Sequence, residues 1–527
     1  MLKKTDFTST FNIQHSTFEI QHSSHHCRKD SGGASLQKPT LLFFPAMKIF
    51  PTNKTPSFLL PGIERSLLIF AVALTASAAW LRGGTKPMLQ TPLPWFGALI
   101  LLGVLTVVYV RNKRDHARTG ETGQAAGNRW KRLLTDPITI AGVLFLALIA
   151  LQSWNAGRHL YFHPLQEQWV YSQPPHPGWP SAINRSESLE MLRWFFPAWA
   201  LLLAFRHALR DSKEKEATLK ILTLNAAVLA VFGIVQFLSG TDAIFWTEPL
   251  PCVFFASFGY PNHAGSYFIL FAGLAGGLLI QSVNRSPTAP PVKSIILWAS
   301  SLLLCLVAAN LSLCRAAMVM SPVIAGVVGV TLFARIWPNL KPIHKVNTAA
   351  LSIALLCLCV LFIDMVAGEA IREEWTKQKK DDYISQWVNV PVGRFYMHKA
   401  AFEIWRENPW FGVGGWGFRY FLALHLPEED WAKVHSLGRA NAHNDFLQFM
   451  AEFGSVGVGL MLVIVSTLGV GIVQNRSWRS PDAVPMIAAL LLVVVHSMID
   501  LPFRSPAILY AWLTVAAIQS TKDRPVL

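Results

Sequence analysis

His443 stands in the stretch Ala440-Asn441-Ala442-His443-Asn444-Asp445-Phe446-Leu447-Gln448, just ahead of a long apolar run starting at Phe453. An imidazole is the natural general base near neutral pH. At the lip of an apolar span it can take a proton from a hydroxyl brought to the membrane surface. Helical spacing from Asn441, a residue type suited to an N-cap, puts His443 and Leu447 on one strip. Asn444, Gln448 and Glu452 then share the next strip at i, i+4 intervals, with Phe446, Phe449 and Phe453 on the apolar side. The plainer alternative is a histidine satisfied structurally.

Two arginines offer the complementary chemistry. Arg315 lies in Leu311-Ser312-Leu313-Cys314-Arg315-Ala316-Ala317, between two apolar runs with almost no loop. A guanidinium near hydrocarbon costs about 2.5 kcal/mol or more at mid-membrane. It therefore needs a carboxylate, an anionic ligand, or a headgroup phosphate to snorkel toward. Arg394 opens Gly393-Arg394-Phe395-Tyr396-Met397-His398-Lys399-Ala400-Ala401-Phe402. Positions 395, 398/399 and 402 predict an amphipathic helix along a membrane surface, with the stripe as its apolar face. Arg394 either pairs with a loop acid or presents its planar fork to a phosphate.

His496 and Asp500 are spaced i, i+4 at the end of a later apolar run. Intramembrane ionisable pairs are functional by default, and a structural His496–Asp500 or Asp500–Arg504 bond is the alternative. Asn262, His263, Asn444, Gln448, Glu452, His496 and Asp500 are the candidates for substrate binding. Gly412-Val413-Gly414-Gly415-Trp416-Gly417 fits G-x-G-x-x-G but lacks strand–helix–strand context, so a dinucleotide site is rejected. A tight turn that lets backbone approach a ligand or helix is the better reading.

Composition says what positions these residues. The 527-residue chain is 52% apolar and 15% charged, against about 25% charged in ordinary soluble domains. Nineteen Trp and thirty-three Phe suit aromatic belts at the headgroup level. The fold class is all-α, a polytopic membrane protein. Twelve apolar spans are expected at 64–81, 95–110, 137–154, 188–206, 219–239, 263–281, 294–313, 316–334, 348–366, 453–473, 484–499 and 505–519. Loop 111–136 carries seven Lys and Arg and loop 206–220 five, whereas loop 240–262 has none. The positive-inside rule then places both termini in the cytoplasm and every odd-numbered loop outside.

The domain plan follows: an N-terminal segment, 1–60; spans one to nine within 61–366; a large external loop, 367–452; and three more spans in 453–527. Loops 155–187 and 240–262 would roof the outer face. The N-terminal segment repeats Phe-x-Ile-Gln-His-Ser and continues to His25-His26-Cys27. Its readings are disorder, a start over-extended ahead of Met47 or, less favoured, metal binding, and no signal peptide is recognised. The formal charge of +15 sits in short loops, where it sets topology, so nucleic acid is not an expected partner. Cys305, Cys314, Cys357 and Cys359 lie in or beside apolar runs without CxxC spacing, which argues against disulfides and zinc. No Asp-x-Asp pair or acidic cluster suggests Mg²⁺, so neither metal nor cofactor is expected.

At these residues the chain resembles the O-antigen ligase and O-antigen polymerase-related family of bacterial membrane proteins. The resemblance spans roughly 220–510. It rests on Tyr260-Pro261-Asn262-His263-Ala264, the Arg315 segment, Gly393-Arg394 followed by Asn408 to Gly414, His443 to Gly454, and His496 to Asp500. Cys314 departs from the serine the family often carries there. The resemblance implies inverting, metal-independent glycosyl transfer at the periplasmic face of the inner membrane. The donor would be a saccharide on undecaprenyl pyrophosphate and the acceptor a lipid A-core sugar. Arg315 and Arg394 would hold the pyrophosphate, and His443 the acceptor hydroxyl. A polymerase or protein O-oligosaccharyltransferase of the same family, or a flippase of lipid-linked sugars, are the other readings.

Overall fold

The computed structural model describes residues 62–85, 91–119, 128–164, 167–209, 211–250, 253–284, 291–336, 361, 364–365, 368–376, 394–426 and 440–521. The expected ninth span, 348–366, falls almost wholly outside them, as does the N-terminal segment. Every other expected span coincides with a helix. In order these are α1 (Gly62–Trp80), α2 (Leu93–Thr119), the short α3 (Asn128–Leu134), α4 (Pro137–Trp154), α5 (Arg185–Leu203), α6 (Ser212–Leu238), α7 (Pro261–Asn284), α8 (Val292–Leu311) and α9 (Arg315–Ile336). The extramembrane α10 (Arg394–Glu407) precedes α11 (Asp445–Gln474), α12 (Ala483–Ser497) and α13 (Pro506–Ser520). Among the described residues, nine helices are long and apolar enough to cross a membrane, and α12 and α13 are shorter apolar helices. The protein is an all-α polytopic membrane protein.

Helix α7 is the axis of the bundle, with 89% of its apolar window buried. Small residues allow this, because hydrocarbon gives helices little hydrophobic reason to associate and close packing must do so. A Cβ on Gly273 would sit 2.3 Å from Cβ of Ala489 on α12, and one on Gly276 2.3 Å from Val328 on α9. A Cβ on Gly265 would sit 2.6 Å from Cβ of Cys314, so the start of α9 docks on the first turns of α7.

Helix α11 is broken at Gly454, whose φ of 64° and ψ of −170° leave the helical region. The turn at Pro409–Gly414 splices into the break. Val413 and Gly414 donate N–H groups to the carbonyls of Ala451 and Glu452, at 3.0 and 2.9 Å. Ser455 and Val456 donate to the carbonyls of Pro409 and Trp410, at 2.8 and 3.1 Å. Non-helical backbone near the membrane survives only where the protein re-satisfies its polar groups. This is why the glycine-rich motif exists: Gly412 and Gly414 have φ of +66° and +87°, and a Cβ on Gly412 would lie 2.5 Å from the carbonyl of Ala451.

Around the splice the external segments build a small extramembrane layer. Its core joins Met397, Ala400, Ala401 and Ile404 of α10 to Val413, Phe418, Phe421, Leu422, Ala442 and Ala451. Helix α10 is amphipathic, and the stripe that reads as its membrane-directed face points away from the protein core. Phe395 and Phe402 are 49% and 47% exposed, because the buried stripe is 397, 400, 401 and 404. A hairpin of β1 (Leu160–His163) and β2 (Gln168–Tyr171) joins this layer. The Tyr171 hydroxyl donates to the carbonyl of Tyr420 at 3.3 Å, and Arg419 pairs with Glu187.

Candidate active site

The organising carboxylate is Asp500, 1% exposed, in the turn that leaves α12. Four consecutive carbonyls of this turn meet polar groups from three separate parts of the chain. Met498 accepts from the Asn444 amide at 2.7 Å, and Ile499 from Nη1 of Arg394 at 2.7 Å. Asp500 accepts from the Asp445 N–H at 3.2 Å, and Leu501 lies 3.0 Å from Nε2 of His263. The turn thereby fastens α7, α10 and α11 to one another.

Its side chain gathers the polar groups. The Tyr260 hydroxyl is 3.0 and 3.1 Å from the two Asp500 oxygens. Asn262 donates to Asp500 and, at 2.9 Å, to the Tyr260 oxygen. The Leu501 N–H adds a bond of 2.8 Å. Arg394 approaches with Nη2 at 3.3 Å, and His443 with Nδ1 at 3.7 Å, an ion-pair distance too long for a hydrogen bond. Burial works to raise the Asp500 pKa, but His443 and the charges of Arg394 and His496 outweigh it and hold it well below the usual carboxylate range. Burial, reinforced by Asp500, pushes the Tyr260 phenol well above its ordinary value, so it stays protonated and donates.

His443 has a φ of +50°, the left-handed region that asparagine, aspartate and histidine enter more readily than other side chains. The expected helix register is corrected here. The N-cap is Asn444, not Asn441; its side chain accepts the Leu447 N–H at 3.0 Å. His443 precedes the helix and shares no strip with Leu447. Its Nδ1 is buried toward Asp500 while the side chain as a whole is 30% exposed. The His398 ring lies 3.4 Å from the His443 carbonyl. Burial chiefly lowers the His398 pKa, partly offset by that contact, so this imidazole is neutral near pH 7.

The remaining candidates separate from this cluster. His496 is buried behind it, its Nδ1 2.6 Å from the Ser266 hydroxyl, and neither of the alternative bonds to Asp500 through His496 or Arg504 forms. Gln448 and Glu452 belong to a second network. There the Glu452 carboxylate accepts from Gln448 at 3.0 Å and from Arg504 at 2.7 Å. Arg315 finds a carboxylate, Glu374, at 2.8 Å, and also donates to the Glu374 carbonyl at 3.0 Å. Its Nε is buried without a hydrogen bond. Through Cys314 and Gly265, Arg315 enters the corner of the bundle where α7 begins, the same helix that carries Asn262 and His263. Among the described residues, no three His, Cys, Asp or Glu side chains converge as metal ligands.

Sequence reasoning left Tyr260, His398 and Glu374 off the site. Tyr260 was within reach, two residues before Asn262 in a motif already singled out. Glu374 carried no local signal.

The fold and the cluster define the class: a many-spanned helical membrane protein with a polar cluster at the mouth of its central helix. The model of the O-antigen ligase family matches residues 300–462, which include Arg315, Arg394 and His443. That match supports an O-antigen ligase-related family and a ligase- or polymerase-type membrane glycosyltransferase-like activity. Asp500, Tyr260 and Asn262 lie outside the matched segment. No curated protein matches the chain.

Proposed function

We propose that the protein transfers a saccharide from undecaprenyl pyrophosphate to a lipid A-core acceptor at the outer face of the inner membrane, with inversion and without a metal. The observation that carries this reading is the Asp500 cluster, in which a buried carboxylate holds an imidazole and a guanidinium that both remain partly open to the outside. Side-chain exposure is 36% for Arg394 and 2% for Asp500.

The chemistry is a direct displacement. His443 takes the proton from the acceptor hydroxyl through Nε2 while Asp500 stabilises the imidazolium that forms. The acceptor oxygen bonds to C1 of the donor sugar, and the C1–O bond breaks with its electron pair leaving on the pyrophosphate. Arg394 spends two of its five N–H donors on Ile499 and Asp500. The rest can meet the charge growing on the leaving group, a contribution on the order of a few kcal/mol per well-placed donor. Arg315, through its unbonded Nε, would take the other side of the pyrophosphate.

The test is reconstitution of purified protein with an undecaprenyl-pyrophosphate glycan, a lipid A-core acceptor and EDTA. Transfer that survives EDTA and vanishes in His443→Ala supports the proposal. Wild-type transfer by His443→Ala and Arg315→Ala overturns the site. Chain extension of the donor glycan alone reassigns the acceptor to a growing polymer, and passage of glycan across the bilayer without transfer identifies a flippase.

A further inference from the structure

The β1–β2 hairpin carries a charge that the proposed transfer does not use. Arg158 lies four residues past Trp154, the last residue of α4, and two before β1. Its side chain is half-buried, and its Nε is buried without a hydrogen bond. Among the described residues no carboxylate pairs with it. The guanidinium lies instead over the Phe421 ring, 5.9 Å from the centroid, a contact that attracts it without neutralising it. Burial lowers its pKa, with no neighbouring charge to offset it. Arg315, Arg419 and Arg504, by contrast, each have a carboxylate. A guanidinium taken out of water without a counter-charge is costly, and an anion supplied from outside the chain removes that cost.

Strand alternation says what else such an anion would meet. The ladder pairs Leu160 with Tyr171 and Phe162 with Trp169. It continues to His159, whose carbonyl accepts the Ser172 N–H at 2.8 Å. Side chains two apart share a face, so Arg158, Leu160 and Phe162 line up with Trp169 and Tyr171. Tyr171 rests on Phe421 with ring centroids 4.8 Å apart, the same ring that Arg158 covers. Past that contact the face runs out into the open. Leu160, Phe162 and Trp169 are between 37% and 49% exposed, with the Phe162 and Trp169 rings edge to face at 5.7 Å. The face is amphiphilic, a guanidinium at its base and apolar side chains toward its tip.

Its level fits a lipid. Trp154 is 57% exposed, and a tryptophan at the end of an apolar span sits among headgroups. Four residues of chain reach at most about 14 Å, which keeps Arg158 within range of headgroup phosphate. Leu160 and Phe162 offer a soluble sugar or phosphate nothing to bond, but they suit acyl chains. We infer that this face of the hairpin docks a phospholipid of the leaflet beside the Asp500 cluster, its phosphate on Arg158 and its acyl chains along Leu160, Phe162 and Trp169. Planar guanidiniums suit phosphate oxygens. The lipid site does not depend on the glycosyl-transfer reading.

The experiment attaches a fluorophore to Glu167→Cys, exposed beside the hairpin turn, in full-length protein, with wild type labelled in parallel as the blank for native cysteines. Delipidated protein in detergent is titrated with phosphatidylglycerol carrying a nitroxide on its acyl chain. Nitroxide-labelled diacylglycerol, which lacks the phosphate, and glycerol phosphate, which lacks the chains, are the comparison ligands. Phosphatidylglycerol should quench saturably, and diacylglycerol should need about fivefold more. Arg158→Gln should raise the half-quenching concentration of phosphatidylglycerol about fivefold, the loss expected for one cation at a membrane surface, and Arg158→Lys by less. Phe162→Ser, which leaves Arg158 in place, should weaken binding too and serves if Arg158→Gln misfolds. No quenching, an unchanged half-quenching concentration in both variants, or equal quenching by diacylglycerol overturns the inference. Displacement of phosphatidylglycerol by an equal concentration of glycerol phosphate overturns the lipid as the ligand.

Discussion

Two buried carboxylates near the start of α11 share a composition and differ in use. Asp500 and Glu452 are both fully enclosed, and each is met by one arginine and by side-chain donors. The difference lies in their partners. Around Glu452 the arginine is closed in as well, Arg504 at 10% exposure against 36% for Arg394. Arg504 also reaches toward Asp445 at 3.9 Å and lies over the Trp416 ring. Gln448 closes the set by accepting the Ala442 N–H at 2.9 Å. The charged members of that network, Glu452 and Arg504, are both enclosed. Around Asp500 the interior half is equally saturated, but Arg394 and His443 are both partly exposed. Burial of a carboxylate thus says little about its role; exposure of its partners is what separates a fastener from a site.

Substitutions that break one network and not the other test this contrast. The largest effect is expected from His443→Ala. Loss of the base should cost about 10²–10⁴-fold in transfer rate with little change in thermal midpoint, since Nδ1 makes no hydrogen bond. The reverse pattern belongs to Arg504→Ala, which strands Glu452 as an unpaired buried charge at a cost of about 3–5 kcal/mol. It should lower yield and midpoint sharply. A stable, inactive Arg504→Ala protein would dissolve the contrast.

Asp500→Asn stands between them, because Asp500 is both fastener and site. Removing its charge weakens charge-assisted bonds worth about 1.5–3 kcal/mol, or roughly 10- to 100-fold in rate, and the midpoint should fall too. A pH series sharpens the assignment. The folded-state pKa is depressed below its ordinary 3.8, so the carboxylate contributes stability in full above the unfolded-state value. That contribution is lost as pH falls through the folded-state value. The stability gap between wild type and Asp500→Asn should therefore be constant from neutral pH down to about 4–5 and shrink only below the ordinary carboxylate range. A gap that already shrinks near neutral pH would mean that a group other than Asp500 governs the cluster's stability.

The membrane spans were legible because hydrophobic runs of helical length have few alternatives. The site was legible only in its residue types. Asn441 and Asn444 are both good caps, and spacing could not choose between them. The choice went to Asn444 because its side chain can cap Leu447 and also reach the Met498 carbonyl, a partner 54 positions away. Asp500 read as one half of a pair with His496, since i, i+4 neighbours meet on an ideal helix. The helix ends at Ser497, and the freed carboxylate turns to Tyr260 and Asn262, 240 and 238 positions away. The core-facing side of α10 carried no such signal: close packing on α11 and the splice selected the small Ala400 and Ala401, while Phe395 and Phe402 stay exposed.

Glu374 gives the smallest effect and the most discriminating one. Its pair with Arg315 is partly exposed, at 29% and 37%, so Glu374→Gln should change stability by no more than about 1 kcal/mol. Under the proposed function the carboxylate occupies the guanidinium until a pyrophosphate displaces it. Removing its charge should then lower KM for the lipid-linked donor by about two- to fivefold with kcat nearly unchanged. A raised KM would mean instead that Glu374 orients Arg315 for the donor, and an unchanged KM would take Arg315 out of donor binding. The outcome also decides whether both arginines address one ligand or only Arg394 does.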